Sequence, residues 1–193
     1  MNAKLSGGVG RQRAQVRRIE IEGYFRDDGL VELEATLVDV KDIDYPLAAG
    51  VRKKGDPVHR MRVSVLIDRA CTILDARAES EWVPYPGSCE RIAPAYGALV
   101  GMNLMKGFRD AVRARFFGIE GCSHISELLL SLPTAAVQTF ATFMKDNADS
   151  AEKPFQLDRC HALATDGDTV RQYYPAWYRA PGRASGEADD GEA

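Results

Sequence analysis

The sequence predicts an α+β fold: an antiparallel sheet of about four strands, followed by three or more helices packed on one face. Two observations predict it. As far as Trp82, apolar and polar residues alternate, which is the period of half-buried strands. Beyond Pro86 the apolar residues recur every three or four positions, which is the period of amphipathic helices.

The elements follow in order. Ile19, Ile21 and Phe25 alternate with Arg18, Glu20 and Glu22. Arg26-Asp27-Asp28-Gly29 is a turn signal, after which Val31, Leu33, Ala35 and Leu37 share one face, so these residues form a β-hairpin. A loop runs from Asp44-Tyr45-Pro46 to Gly55-Asp56-Pro57. A third strand is expected over residues 58–67, with His59, Met61, Val63, Val65 and Ile67 on its apolar face. A fourth is expected over residues 71–82. Helices are expected over residues 90–100, stopped by Gly101, and over 105–116. A third begins near His124. Its stripe comprises Ile125, Leu128, Leu129, Leu132, Ala136, Phe140, Phe143 and Met144, and Pro133 should kink or split it.

Residues 1–15 read as a flexible lead-in, 16–178 as a single metal-binding domain, and 179–193 as a disordered tail. The 193 residues suffice for one real core. With a net charge of −3 and no dominant basic patch, nucleic acid is not an expected partner. No apolar run reaches membrane-span length and no secretory signal is visible, so a cytoplasmic protein is expected. In that compartment the four cysteines are ligands, nucleophiles or buried apolar groups rather than disulfides.

All three histidines and three of the four cysteines fall in short motifs. His59 lies on an apolar strand face; taken alone it is a core histidine. Cys89 sits in Pro-Gly-Ser-Cys-Glu before a helix; taken alone it is a small buried apolar side chain. In Gly121-Cys122-Ser123-His124, both side chains reach one ion if Cys122 is in the loop and His124 in the first helical turn. A cysteine at a helix start also suits a bound thiolate or a nucleophile paired with a histidine. Cys160-His161 is a further pair, and Cys71 reads as structural. Imidazole with thiolate suits one zinc or iron ion, and an iron–sulfur cluster less well. Asp39 shares a face with Leu33 and Leu37, and Lys41 follows it. The two read as a strand-end ion pair or, less readily, as an acid–base pair. Glu127, one turn into the helix, is a candidate partner of the site.

Several stretches resemble a bacterial family known as a domain of unknown function. They are Gly23-Tyr24-Phe25-Arg26-Asp27-Asp28-Gly29-Leu30, Asp39-Val40-Lys41, Gly55-Asp56-Pro57-Val58-His59-Arg60-Met61, Gly121-Cys122-Ser123-His124-Ile125-Ser126-Glu127-Leu128 and Cys160-His161-Ala162-Leu163. The resemblance covers residues 17–178 and implies no activity. It singles out Tyr24, Arg26 and Asp28 as substrate-binding candidates.

From His59 to Gln138 the order of elements also resembles the iron–sulfur cluster assembly scaffolds (NifU/IscU-like). That likeness implies the scaffold fold, with His59, Cys89 and Cys122 standing where the scaffold has its three cysteines. Ile73-Leu74-Asp75-Ala76-Arg77 and Cys122-Ser123-His124-Ile125-Ser126-Glu127 look like its motifs. Met61 replaces the scaffold's aspartate, and Gly121 its histidine. These departures imply a retained metal pocket without cluster transfer, and leave Cys160-His161 without a counterpart.

The expected function is a metal-dependent enzyme, lyase or hydrolase in type, acting on a small organic and potentially aromatic substrate. His59, Cys89, Cys122 and His124 hold the ion, and His124, Glu127, Lys41 and Asp39 are the catalytic candidates. A non-enzymatic iron–sulfur or metal carrier and a structural zinc domain are the alternatives. A homodimer is the expected assembly if the chain has one.

Overall fold

The structure is a computed structural model that describes residues 9–142 and 151–180. Residues 1–8 of the expected lead-in, Phe143 and Met144 of the expected helix, and residues 181–193 of the expected tail lie outside the described residues. The chain divides into two compact units, Met1–Thr142 and Phe143–Ala193.

The first unit is α+β, as the alternation requires. Strands β1 (Gln15–Phe25), β2 (Val31–Lys41), β5 (Pro57–Ile67) and β6 (Ile73–Trp82) form one antiparallel sheet in the order β1-β2-β5-β6. The expected hairpin forms around the predicted turn. Gly29 takes φ +81°, a left-handed conformation that glycine adopts without strain, and its N–H donates to Arg26 O. The long loop before β5 contains its own small hairpin, β3 (Tyr45–Leu47) and β4 (Gly50–Arg52).

Period-two patterning places Val31, Leu33, Ala35 and Leu37 of β2, and Met61, Val63, Val65 and Ile67 of β5, on one buried face. Helix α2 (Ser123–Ala141) crosses this face with Ile125, Leu128, Leu129, Leu132 and Ala136 fully buried. Each leucine there contributes about 1.5–3 kcal/mol by leaving water. Helix α1 (Phe108–Phe116) adds Phe108, Val112 and Phe116 to the core.

Three elements differ from expectation. The first helix is 3-10 throughout, Cys89–Leu99, with Pro94 inside it. The second begins at Phe108 rather than 105, because Gly107 before it is left-handed at φ +63°. Helix α2 continues through Pro133 without a break. Arg109 donates there to Leu130 O at 3.0 Å and to Thr134 Oγ1 at 3.2 Å, supplying hydrogen bonds around the turn that the proline weakens. Cys71 is buried in the turn before β6, consistent with a structural role.

In the second unit, Asp158 organises the described residues. Its carboxylate accepts from Lys153 Nζ at 2.6 Å and from the Thr165 N–H at 2.8 Å. Lys153 first and the Thr165 backbone second pull its pKa down to about 2. Helix α3 (Asp168–Tyr173) follows. Cys160 and His161 are both exposed in this unit.

Among the described residues no helix is long and apolar enough to cross a membrane.

Candidate metal centre

The site starts as a row across three strands. The hairpin register sets Arg17 opposite Asp39, and the β2–β5 register sets Asp39 opposite His59. Asp39 continues the buried series of Leu33 and Leu37, so its carboxylate enters the core face and is only 4% exposed. The β2–β5 pairing shifts between Asp39 and Val40, a bulge of the kind that re-aims a side chain.

A charge in that position requires partners. Arg17 supplies the first, with Nε donating to Asp39 Oδ1 and Nη2 to Asp39 Oδ2, both at 2.7 Å. His59 Nδ1 lies 3.1 Å from Oδ2. The third amino group of Arg17 turns away to Glu127 of α2, tying the helix to the sheet.

The start of α2 brings the other half of the site. Cys122 is its extended N-cap residue, with no capping bond from its own side chain. The Tyr96 hydroxyl accepts from Cys122 N at 2.7 Å and donates to Cys122 O at 3.3 Å. Ser126 Oγ donates to Phe116 O at 2.7 Å. Gly121 passes so close to Phe116 that an added Cβ would lie 2.1 Å from its carbonyl oxygen. These contacts fix where α2 begins. His124, in its first turn, therefore stacks on His59 with ring centroids 3.8 Å apart and a 31° tilt. His124 Nε2 lies 3.6 Å from Asp39 Oδ2, and His124 Nδ1 lies 3.7 Å from Cys122 Sγ.

One donor atom from each of Asp39, His59 and His124 thus lies within 4.8 Å of the others. The 3.1 and 3.6 Å gaps to Asp39 Oδ2 are each short enough for two bonds of about 2.1 Å to one ion, and the stacked rings must turn for both imidazoles to aim at it. Arg17 does not block this, because a carboxylate offers about four lone-pair sites and the guanidinium takes one on each oxygen. Two imidazoles with one carboxylate suit iron with open positions, or zinc.

The charges favour a ligand role. Burial, then the His59 and Arg17 charges, depress the pKa of His124 to about 4. Burial also lowers His59, against the pull of Asp39. Both imidazoles are thereby neutral near pH 7, the form that binds metal. Burial raises Asp39, but Arg17 and His59 outweigh it and hold the carboxyl below its ordinary range.

An open cleft of about 520 Å³ lies against the two histidines. His59, Cys89, Cys122 and His124 all line it. The structure therefore gathers the four residues expected from sequence around one cleft. The close donor group, however, is completed by Asp39 and includes neither thiol. Asp39 had been weighed as half of a strand-end ion pair with Lys41; Arg17 takes that place. Lys41 instead lies 3.4 Å from Gln15 Oε1 and over the Tyr45 ring. Glu127 reaches the site through Arg17.

Tyr24, Arg26 and Asp28 lie at the other end of the hairpin. Glu32, opposite Tyr24, is seven residues from Asp39 along β2, about 24 Å at 3.4 Å per residue. They are exposed, and Arg26 pairs with Asp28 at 2.8 Å and Glu32 at 3.4 Å. Nothing brings them to the histidines. Sequence reasoning missed Arg17 and the hydrogen bonds by which the buried Tyr96 holds Cys122. The hairpin turn was the signal for Arg17, since it fixes the residue opposite Asp39.

A family model described as a protein of unknown function (DUF2889) matches residues 15–138, which include every residue of the site. No curated protein and no solved structure matches the chain, and nothing in these comparisons supports the likeness to the iron–sulfur scaffolds.

Proposed function

We propose that this chain, which belongs to the DUF2889 family, is a metal-dependent enzyme, lyase or hydrolase in type, acting on a small organic molecule in the cleft beside the two histidines. The grouping of Asp39, His59 and His124 within 4.8 Å carries the proposal. Zinc or iron fits these donors, and the bound ion would polarise a carbonyl or hydroxyl or lower the pKa of water. The protein's own part is to orient the donors. Arg17 fixes the Asp39 carboxylate, Tyr96 fixes the helix start that carries His124, and burial keeps both imidazoles unprotonated. A reducing, cytoplasmic setting keeps Cys89 and Cys122 as the free thiols observed here.

Metal content and the visible spectrum of protein purified without oxygen test the proposal. About one zinc or iron per chain, lost in both His59→Ala and His124→Ala while circular dichroism stays folded, supports it. Brown protein with acid-labile sulfide replaces it with a cluster carrier. Stoichiometric zinc whose loss unfolds the chain replaces it with a structural zinc domain. No bound metal under any condition overturns it.

One observation favours a second reading. Cys122 Sγ, His124 and Asp39 lie in sequence, at 3.7 and 3.6 Å across the imidazole. A thiol at a helix start beside a neutral histidine is the arrangement of a cysteine nucleophile and its base. Metal-free wild type whose Cys122 is alkylated by iodoacetamide much faster than in His124→Ala would favour this reading. Equal rates would remove it.

A further inference from the structure

The cleft also carries information about the molecule that enters it. Its lining includes the apolar side chains of Met61, Pro84, Ile92 and Ile119, with hydroxyls from Tyr85, Ser88 and Ser123. No acidic side chain lines it, and Arg91 is its one permanently charged side chain. Arg91 comes from the 3-10 segment Cys89–Leu99, and its Nε donates to Gly87 O at 2.6 Å. That bond holds the head of an otherwise long and mobile side chain. Among the described residues no carboxylate pairs with Arg91, which is exposed to the solvent that fills the cleft. A tethered guanidinium with free amino groups, in a cleft with no counter-charge, is a receptor for one negative charge.

We infer that the substrate is an apolar organic acid whose carboxylate is held by Arg91, with the rest of the molecule reaching the histidine end of the same cleft. This rests on the proposed function for the reaction, although the Arg91 anchor can be measured without it. A single guanidinium matches a monoanion. A phosphate monoester carries nearly two charges and three acceptor oxygens, more than one guanidinium neutralises. An open cleft of about 520 Å³ has room for a molecule larger than a single ring.

Benzoate is the probe, benzamide its uncharged counterpart and phenyl phosphate its dianionic one. Each is titrated into ¹⁵N-labelled wild type and Arg91→Gln, with and without added zinc, and zinc content is measured in the same samples. Amide signals of Tyr85, Arg91, Ile92 and Ile119 report the cleft. The expected result is saturable shifts with benzoate, binding at least about tenfold weaker for benzamide and phenyl phosphate, and loss of that preference in Arg91→Gln. Equal binding of benzoate and benzamide overturns the inference. So does a preference for benzoate that survives in Arg91→Gln, which would place the carboxylate on the ion instead. Tighter binding of phenyl phosphate overturns the choice of a carboxylate. Wild type that takes up no zinc yet keeps the Arg91-dependent preference removes the metal proposal and leaves the anchor standing.

Discussion

At each end of the β1–β2 hairpin an arginine holds an aspartate: Arg17 with Asp39 at the open end, and Arg26 with Asp28 at the turn. The contacts are alike, at 2.7 and 2.8 Å. The surroundings are not. Asp39 is sealed under the start of α2, while Asp28 stands in water. In solvent such a pair gains little, because water screens it and holding two side chains in place costs entropy. In the core, removal of one partner leaves a charge with nowhere to go. The same chemical pair is therefore decoration at one end and a structural requirement at the other. Two histidines can gather only at the buried end.

The largest effect is expected from breaking the Arg17–Asp39 pair, whose carboxylate is buried. Arg17→Met should lower unfolding free energy by about 3–5 kcal/mol in urea titrations followed by circular dichroism. Arg17→Lys should recover only part of it, since an ammonium cannot span both carboxylate oxygens. A loss no larger than that of Arg26→Met would erase the distinction between the two ends.

Acid should produce the next effect, again at the open end. The pKa of His124 is near 4 when folded and near 6.5 when unfolded. Between these values the unfolded chain binds more protons, so stability of the metal-free protein falls as pH drops from about 6.5 to 4. The loss is on the order of 2–3 kcal/mol. His124→Gln should flatten that slope, and an unchanged slope would mean that the imidazole is not buried as described.

Glycine substitutions probe the packing at each end. Gly121→Ala drives a Cβ into the Phe116 carbonyl, a backbone atom with nowhere to move. Gly23→Ala drives a Cβ into Thr139 of α2, whose Cβ and both branches crowd the site, so β1 or α2 must shift. We expect about 1–3 kcal/mol for each, with metal uptake reduced only by the first, which displaces the start of α2. The smallest effect is Arg26→Met, whose urea midpoint should match wild type within error.

Much of this contrast was legible in the sequence. Alternation marked Asp39 as a carboxylate on an apolar face and His59 as a histidine on another. The turn at Asp28-Gly29 pairs Phe25 with Val31, and eight residues further along each strand it brings Arg17 opposite Asp39. Short turns carry register over such distances because each pair fixes the next. The spacing of Cys122 and His124 at a helix start also held, with Cys122 extended and His124 in the first turn. The role of Tyr96 was not legible, because its hydroxyl meets Cys122, 26 positions further along the chain.

By itself, then, the sequence determined the four long strands, the hairpin turn, the carboxylate on an apolar face and the histidines and cysteines that share a cleft, because periodicity and turn chemistry act over a few residues. Only the tertiary structure decided that Asp39 rather than a thiol completes the close donor group, that Arg17 rather than Lys41 neutralises it, and that Tyr24, Arg26 and Asp28 stand apart. Those outcomes depend on the β2–β5 register across a long connection, and on where α2 lands on the sheet. Both are set by packing between segments that no local pattern connects.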